Sequence, residues 1–486
     1  MHLNKDGKVL AAEYGNRWEP LTPEQVKSLH RASLHILEHT GICMPHRQVQ
    51  EALAGAGARV DAEKGKVFFP PPVVEGLCQK APPKYTLCSR NPARDLPLDG
   101  RRGYLTLDGC GLEVLDLEGG QARPSTLKDL EDAVRLADSL DQVAFLWPTI
   151  SAQDCPRRVQ PLHELAALLS NSSKHAQAMT AVSGSMAQGS LKIAAAVAGG
   201  SKALKERPII SNFVCSISPL SYDADSLDAA LAFAEAGIPA GFMTMQISCA
   251  TAPATMAGNL ALGNAEILAG MAALQAVCPG APTFYGSCAT VMELRSGGVT
   301  CGGPEDFLFQ AVSAQMARFY RVPSNIGTFA TGAKASNWHA GVENGISGAV
   351  SLLAGADMLC GAGLLNGARI FSFEQLLLDC EIFEILRRTG GGLEITEETL
   401  ALDAIHRVGP GGHFMMEPHT LAHLRKLWQP EVINRSPYEK WLADGKKDAL
   451  ETAREKAREI LATHEPEPLE EGLLKEIHQI IKSYEE

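Results

Sequence analysis

The chain has 486 residues, of which 45% are hydrophobic and 21% charged, which is typical of a soluble globular protein and excludes a mostly disordered one. Lys and Arg number 44 against 56 Asp and Glu, and this net charge of -12 argues against a protein that binds nucleic acid. No apolar run has the length of a membrane span and residues 1–6 lack a signal-peptide pattern, so we expect a cytoplasmic protein without membrane association.

Residues 1–140 are predicted to form an α+β extension. Thr22 is a candidate N-cap for a helix that begins at Pro23. The segments 104–107 and 113–117 are predicted to form a hairpin joined by the turn 108–111.

Residues 141–400 alternate short apolar runs with helical segments and are predicted to form a (β/α)₈ TIM barrel. The eight candidate strands are 143–147, 176–181, 208–215, 240–247, 283–288, 324–329, 358–362 and 370–373. A doubly wound open sheet is the alternative, weakened because no GxGxxG motif follows a strand. Residues 401–486 are predicted to form a helical tail with two long polar helices, near 438–462 and 468–484.

The twelve cysteines include no CxxC pair, so we expect reduced, mostly buried thiols and no metal centre. Two His-x-x-x-His pairs, His35 with His39 and His419 with His423, could each share a metal on one helix face. Neither pair lies in a predicted barrel loop, and a capping or docking role is the other interpretation.

An active site in a TIM barrel lies in the loops that follow the strands. In this chain those loops carry mainly aromatic, thioether, hydroxyl and amide side chains. Such a mouth suits a quaternary ammonium group held by cation–π contacts, although the same aromatics could be packing that closes the barrel. The predicted substrate-binding residues are Trp147, Phe213, Gln246, Tyr285, Asn337, Trp338 and Phe373.

Three charged residues are the catalytic candidates. Glu343 follows His339 by four positions on a predicted helix face, where the pair could act as a base, bind a carboxylate or ligate a metal. Glu374 opens another helix, where it either complements the helix dipole or faces a cationic ligand.

Nine segments, in order and spacing over about residues 20–440, resemble the trimethylamine methyltransferase family. The similarity is greatest to members that lack pyrrolysine, such as the glycine betaine:corrinoid methyltransferases. The matching segments are 252–259, 264–270, 284–287, 303–305, 341–345, 353–357, 372–375, Asp379 and 408–414, the last of which contains Gly409-Pro410-Gly411-Gly412-His413.

The resemblance implies a TIM barrel that moves a methyl group from a methylated amine to the Co(I) of a separate corrinoid protein. The cobamide would belong to that partner, which would dock at the barrel mouth, and this chain would bind no cofactor permanently. The stretch 337–339, where trimethylamine enzymes carry pyrrolysine, holds only standard residues, which favours a quaternary amine such as glycine betaine over trimethylamine.

The same resemblance suggests roles for the candidate residues. Trp147, Phe213, Tyr285 and Trp338 would form an aromatic cage. Glu374 would complement the cation, and His339 would bind the far end of the substrate or gate access to it. The apolar helix faces and the tail further suggest a homo-oligomer.

Two other functions are compatible with the sequence. A zinc-dependent methyltransferase barrel would activate a thiol or alcohol through Cys and His ligands, and stoichiometric zinc would favour it. A non-catalytic betaine-binding protein would bind quaternary amines tightly without demethylating them.

Overall fold

The structure is a computed structural model that describes residues 8–15, 17–109 and 111–485. Residues 1–6, which were expected to carry no signal peptide, and the turn residue Cys110 lie outside this part. Eight parallel strands form a closed barrel, in which the last strand pairs with the first. The strands are Arg102–Thr106 (β1), Val143–Leu146 (β2), His175–Gln177 (β3), Ile210–Cys215 (β4), Ala240–Thr244 (β5), Tyr285–Ser287 (β6), Ser324–Gly327 (β7) and Met358–Cys360 (β8). The predicted TIM barrel is therefore confirmed.

One main helix follows each strand. These helices are Leu127–Ser139 (α1), Gln160–Ser170 (α2), Gly184–Ala198 (α3), Ala224–Glu235 (α4), Met256–Val277 (α5), Pro304–Tyr320 (α6), Trp338–Leu353 (α7) and Phe373–Gly390 (α8). A short helix, Ser201–Glu206, follows α3. Several of these helices begin where a side chain accepts their first amide protons: Thr126 caps α1 in a capping box with Asp129, and Asn337 caps α7.

The structure corrects which segments close the barrel. Strand β1 lies in the segment that the sequence pattern assigned to a hairpin, and it pairs in parallel with β2 and β8. Ile370–Phe371, counted as the eighth strand, instead pairs with Glu113–Leu115 outside the barrel. The predicted boundary at residues 140 and 141 therefore falls inside the barrel, after its first strand.

The N-terminal residues form a layer against α5. It contains the helix Pro23–His35, the π-helical turn Ile36–Thr40, and the helices Arg47–Gly55 and Pro71–Cys78. The strands Ile42–Cys43, Lys66–Phe68 and Arg59–Asp61 make an antiparallel sheet, and Tyr85–Leu87 pairs with Leu96–Leu98 next to a 3₁₀ turn at Pro92–Arg94. The strand Ala12–Glu13 pairs antiparallel with β1.

Helix α5 is long and apolar enough to cross a membrane by length and composition alone, but 78% of its apolar window is buried inside the protein. Its apolar surface packs against the barrel on one side and the N-terminal layer on the other. This double burial explains why the helix is apolar all round.

Additional strands extend the barrel wall at the ends of the parallel strands. Ile247–Ser248 pairs with Thr290–Val291. A four-stranded sheet joins the loops after β8 and β1, in the order Leu364–Leu365, Ile370–Phe371, Glu113–Leu115 and Ala122–Pro124. These pairings tie neighbouring loops together and deepen the mouth of the barrel.

The C-terminal region is helical, as predicted. Short helices Glu397–Leu400, Leu402–Val408, Pro418–His423 and Tyr438–Ala443, with a 3₁₀ turn at Leu424–Lys426, precede two long ones. Ala449–Thr463 packs on α8 and α1, and Glu471–Glu485 packs on α3 and α2.

Candidate active site at the barrel mouth

A cluster of acid and thiol side chains lies where the barrel strands end. Asp108 follows β1, Cys288 follows β6 and Cys360 ends β8, and their carboxylate and sulfur atoms lie within 4.8 Å of one another. Within residues 8–15, 17–109 and 111–485, no other three or more His, Cys, Asp or Glu side chains come close enough to share a metal ion.

Asp108 is a buried carboxylate, only 5% exposed. Burial raises the pKa of Asp108 to about 6, although hydrogen bonds from the Gly109 amide and the Cys360 thiol oppose the rise. In the part of the chain that the structure describes, no Lys, Arg or His forms an ion pair with Asp108. A buried acid without a cationic neighbour leaves room for a positively charged ligand.

Two further thiols adjoin this cluster. Cys215, at the end of β4, is exposed to solvent, yet burial among protein atoms, with Cys288 and Asp108 close by, raises the pKa of its thiol to about 12. Burial and nearby Asp306, Cys288 and Asp108 raise the pKa of Cys301 to about 12 as well. Cys215 is the exposed member of this set, whose other members are buried or partly buried. We call Asp108, Cys215, Cys288, Cys301 and Cys360 the thiol recess.

Trp147 and Phe213, predicted to form a cage, pack in the barrel interior instead. Both are buried, with ring centroids 4.9 Å apart, and Phe213 lies 6.4 Å from Phe284. The indole nitrogen of Trp147 has no hydrogen-bond partner among the described residues. These rings are the apolar packing that sequence analysis kept as the alternative.

Tyr285 points away from the mouth. Its hydroxyl donates to Asn264 Oδ1 on α5 over 3.1 Å, and its ring stacks on Tyr320. Successive residues of a strand face opposite sides, and since Phe284 faces inward, Tyr285 faces the helices. Its predicted place in an aromatic cage is therefore wrong.

Gln246 follows β5 but also turns outward. Its side chain is buried against Gly263 of α5, and its Nε2 donates weakly to the Asn259 carbonyl over 3.4 Å. A Cβ at position 263 would collide with this amide, so the glycine admits the close contact. Gln246 is thus a helix-packing residue and is not brought to the recess.

Glu374 and Phe373 lie on the outer side of the barrel. Glu374 is 1% exposed, with one carboxylate oxygen accepting from Arg454 Nε over 2.9 Å and the other from the Ser372 hydroxyl. Phe373 is buried beside Phe371, their ring centroids 5.2 Å apart. The prediction that Glu374 faces a substrate cation is wrong, because the strand before it is not part of the barrel.

The other predicted residues do come together, at the rim of the mouth. His339 Nε2 lies 2.7 Å from Glu343 Oε1, and the Gly332 amide donates to Glu343 Oε2 over 2.9 Å. Asn337 accepts the His339 amide proton as the helix cap. His339 and Glu343, together with Lys334 and Arg369, line an open cleft of about 510 Å³.

Large apolar side chains surround the mouth and are exposed. Each follows a different barrel strand, five in loops and Trp338 at the first position of α7, and Trp338 is the most exposed, at 82%. The six are Leu112, Val182, Ile217, Met245, Leu294 and Trp338. We call this set the apolar rim. Exposed apolar residues that follow several strands at the same end of a barrel are candidates for contact with another molecule.

The two histidine pairs are stacked. The ring centroids lie 4.1 Å apart in His35 and His39 and 4.2 Å apart in His419 and His423. In each pair the second ring's Nδ1 bonds to the carbonyl of the first residue. Neither pair has a third ligand within the described ranges.

The thiol recess was not predicted from the sequence. Cys288 and Cys360 each stand at or near the end of a predicted strand, and that placement is the signal that could have identified them. Asp108 was hidden in the predicted hairpin turn. The three residues are separated by 180 and 72 positions, so no local spacing reports that they meet.

Comparisons with known proteins agree with this architecture. Residues 7–486 match the family described as trimethylamine methyltransferase (MTTB). A trimethylamine methyltransferase MttB of Desulfitobacterium hafniense strain DCB-2 is 34% identical over 95% of this chain and 93% of its own length. A glycine betaine methyltransferase of D. hafniense strain Y51 is 33% identical over 93% of this chain and 94% of its own.

One solved structure shows the shared fold. The monomethylamine methyltransferase (MtmB) of Methanosarcina barkeri superposes with a TM-score of 0.52 at 12% sequence identity, covering 92% of this chain and 90% of that one.

Proposed function

The chain belongs to the trimethylamine methyltransferase family, and we propose that it transfers a methyl group from a quaternary amine, glycine betaine or a related betaine, to the Co(I) of a separate corrinoid protein. The single observation that carries this proposal is the buried Asp108 carboxylate, grouped with Cys288 and Cys360 at the ends of the barrel strands, where exposed apolar residues follow the same strands. A buried acid suits a cationic head group, and exposed apolar residues at the same end of the barrel suit a second macromolecule.

The choice of a quaternary amine rests on two supports. Residues 337–339, where the trimethylamine enzymes of the family carry pyrrolysine, are the standard residues Asn337, Trp338 and His339. A relative that is 33% identical carries the name glycine betaine methyltransferase. A quaternary ammonium already bears the positive charge that makes the departing tertiary amine neutral, so no adduct is needed to activate it.

The reaction requires the protein to position the substrate and exclude water. A carbon–nitrogen bond breaks, its electron pair stays on nitrogen, and the methyl carbon bonds to the reduced cobalt of the partner. Cobalt in that state is itself a strong nucleophile, so the work of the barrel is to desolvate the methyl donor and hold it in line. No proton has to be supplied to the leaving amine.

In this proposal Asp108 takes the role that the sequence assigned to Glu374, as the acid nearest the ammonium group. The cleft at the rim receives the far end of the substrate, where Lys334 and Arg369, the latter also paired with Glu113, offer positive charge for a carboxylate and His339 offers a ring nitrogen. The apolar rim receives the corrinoid protein, whose cobamide remains with that partner. With eleven described cysteines in no disulfide, we place this chemistry in the cytoplasm.

The test is methylation of reduced free cobalamin by a panel of amines, followed by absorbance. We expect methyl-Co(III) to form with glycine betaine or another betaine and not with trimethylamine. Formation with trimethylamine alone would contradict the proposal. Tight betaine binding in calorimetry without any methyl transfer would instead identify the non-catalytic binding protein.

A further inference from the structure

We propose that Asp108, Cys288 and Cys360 form a binding site for a thiophilic divalent cation such as Zn²⁺, with one coordination position open to the thiol recess. This inference concerns the side chains at the ends of β1, β6 and β8 and stands without the methyl-transfer proposal. In the loaded site Asp108 would face an ammonium group as part of the metal centre and not as a free carboxylate.

The donor atoms are close to the arrangement that such a cation requires. Zinc bonds of about 2.0–2.3 Å to oxygen and sulfur put the donors of a tetrahedral site roughly 3.3–3.8 Å apart. The three donors here already lie within 4.8 Å of one another, so side-chain rotations close the remaining gap. Three protein ligands and one open position are typical of zinc sites that bind a substrate or water.

The cluster stands on rigid supports. Cys360 is the last residue of β8, Cys288 directly follows β6, and Asp108 lies two residues beyond β1, so all three are close to hydrogen-bonded barrel strands. Gly327 of β7 makes room for one ligand, since a Cβ there would lie 2.5 Å from Cys288 Sγ. Met243 Sδ lies 3.5 Å from the same sulfur and adds a polarisable neighbour.

The charge of Asp108 also favours a bound cation. Asp108 forms no ion pair with a described side chain, and a buried carboxylate is costly without positive charge beside it. A divalent cation would supply that charge. With two thiolates and one carboxylate as ligands, the loaded centre would carry a net charge of −1 by formal count.

The net negative charge of the loaded centre affects which ligands it can bind. It would attract an onium head group electrostatically rather than repel it. Its open position would accept water or a donor atom of an anionic or thiol ligand that enters the recess.

The first experiment uses the unmodified protein under reductant. We expect about one zinc per chain by elemental analysis. A zinc-bearing chain is then distinguished from a zinc-dependent thiol or alcohol methyltransferase by its methyl donor and not by its metal content. After chelation, cobalt(II) should give the visible absorption of a tetrahedral site and thiolate charge-transfer bands. Alkylation mapped by mass spectrometry should find Cys288 and Cys360 protected in the zinc-loaded protein and reactive after chelation.

The variants C288S, C360S and D108N identify the ligands. Each should weaken cobalt binding by roughly tenfold or more, because one of three protein ligands is lost or altered. The matched control is C278S, whose cysteine lies just beyond α5 at the opposite end of the barrel. It should bind cobalt as the parent protein does.

Several results would overturn the inference. These are metal-free protein with no cobalt spectrum, a spectrum that survives C288S and C360S, or a Cys288–Cys360 disulfide that persists under reductant. Because alkylation protection is measured on the unmodified chain, a variant that fails to fold does not weaken the test. If the protein binds the metal but does not demethylate a betaine, the metal site is supported and the proposed function is contradicted.

Discussion

Glu374 and Arg454 join α8 to the C-terminal helix Ala449–Thr463. We expect Glu374→Gln to lower the free energy of unfolding by about 1–2 kcal/mol, because a buried charge-assisted hydrogen bond is lost while Arg454 remains partly solvated. The Michaelis constant for substrate should not change. Chemical denaturation and steady-state kinetics check both, and a raised Michaelis constant with unchanged stability would return Glu374 to the active site.

His339 is a catalytic candidate that lines the rim cleft and is not buried in packing. We expect His339→Ala to raise the Michaelis constant for a betaine roughly tenfold through loss of one charge-assisted contact to the carboxylate. The unfolding free energy should change by less than about 0.5 kcal/mol, since the ion pair to Glu343 is a partly exposed helix pair.

The matched control for His339 is His39→Ala, an exposed histidine of the N-terminal layer. Kinetics at limiting betaine measure the difference between the two variants. Equal rates in both variants and the parent would remove His339 from the site.

At the scale of elements, strand and helix types were largely predictable, and the closure of the barrel was not. Seven of the eight barrel strands overlap predicted ones, because buried parallel strands form short apolar runs. Which strand closes the ring depends on pairing between β8 and β1, some 250 residues apart, and local patterns carry no record of it.

The locality of sequence patterns also explains which of the predicted site residues lie together. Asn337, His339 and Glu343 lie within one helix start, so cap and i,i+4 spacing were enough to bring them together. To predict the positions of Tyr285 and Gln246, one must know which side chains of a strand or loop point into the barrel and which point toward the helices. In a sheet buried on both faces, hydrophobicity does not distinguish the two faces.

The proposed docking of the corrinoid protein on the apolar rim can be tested by mutation. Ile217→Ser together with Leu294→Ser should raise the Michaelis constant for the corrinoid protein roughly tenfold or more, because apolar contact area at an interface is lost. The rate with free cobalamin should stay unchanged.

The control for the rim is Leu393→Ser, which alters an exposed apolar residue beyond α8 and away from the mouth. It should affect neither rate. A parallel loss of activity with free cobalamin in the rim variant would show that these loops shape the recess and do not dock the partner.

At the scale of the whole molecule, residues 393–442 form an arm with little core of its own. Its main described anchor is the Glu381 carboxylate, which accepts the amide protons of Glu431, Val432 and Ile433. Large apolar side chains are exposed along the arm, including Leu393 at 90%, Met415 at 76% and Met416 at 77%. Short helices with such faces are not stable in water by themselves.

We expect a second copy of the chain to cover this arm. The arm begins where α8 ends, at the end of the barrel opposite the mouth, and leads to the helix Ala449–Thr463. Light scattering should give a mass that is a multiple of the single chain, and Met415→Glu with Met416→Glu should shift it toward the monomer. A monomeric parent protein at micromolar concentration would contradict this expectation.

The central claim is that the barrel mouth removes a methyl group from a quaternary amine. Its most direct measurement follows an isotopically labelled N-methyl carbon by NMR, with the purified protein, labelled glycine betaine or a related betaine, and reduced cobalamin. We predict that the label appears on cobalt in the same amount as the demethylated amine. If the label stays entirely in the betaine under conditions where that betaine binds to the protein, the proposed methyl transfer is contradicted.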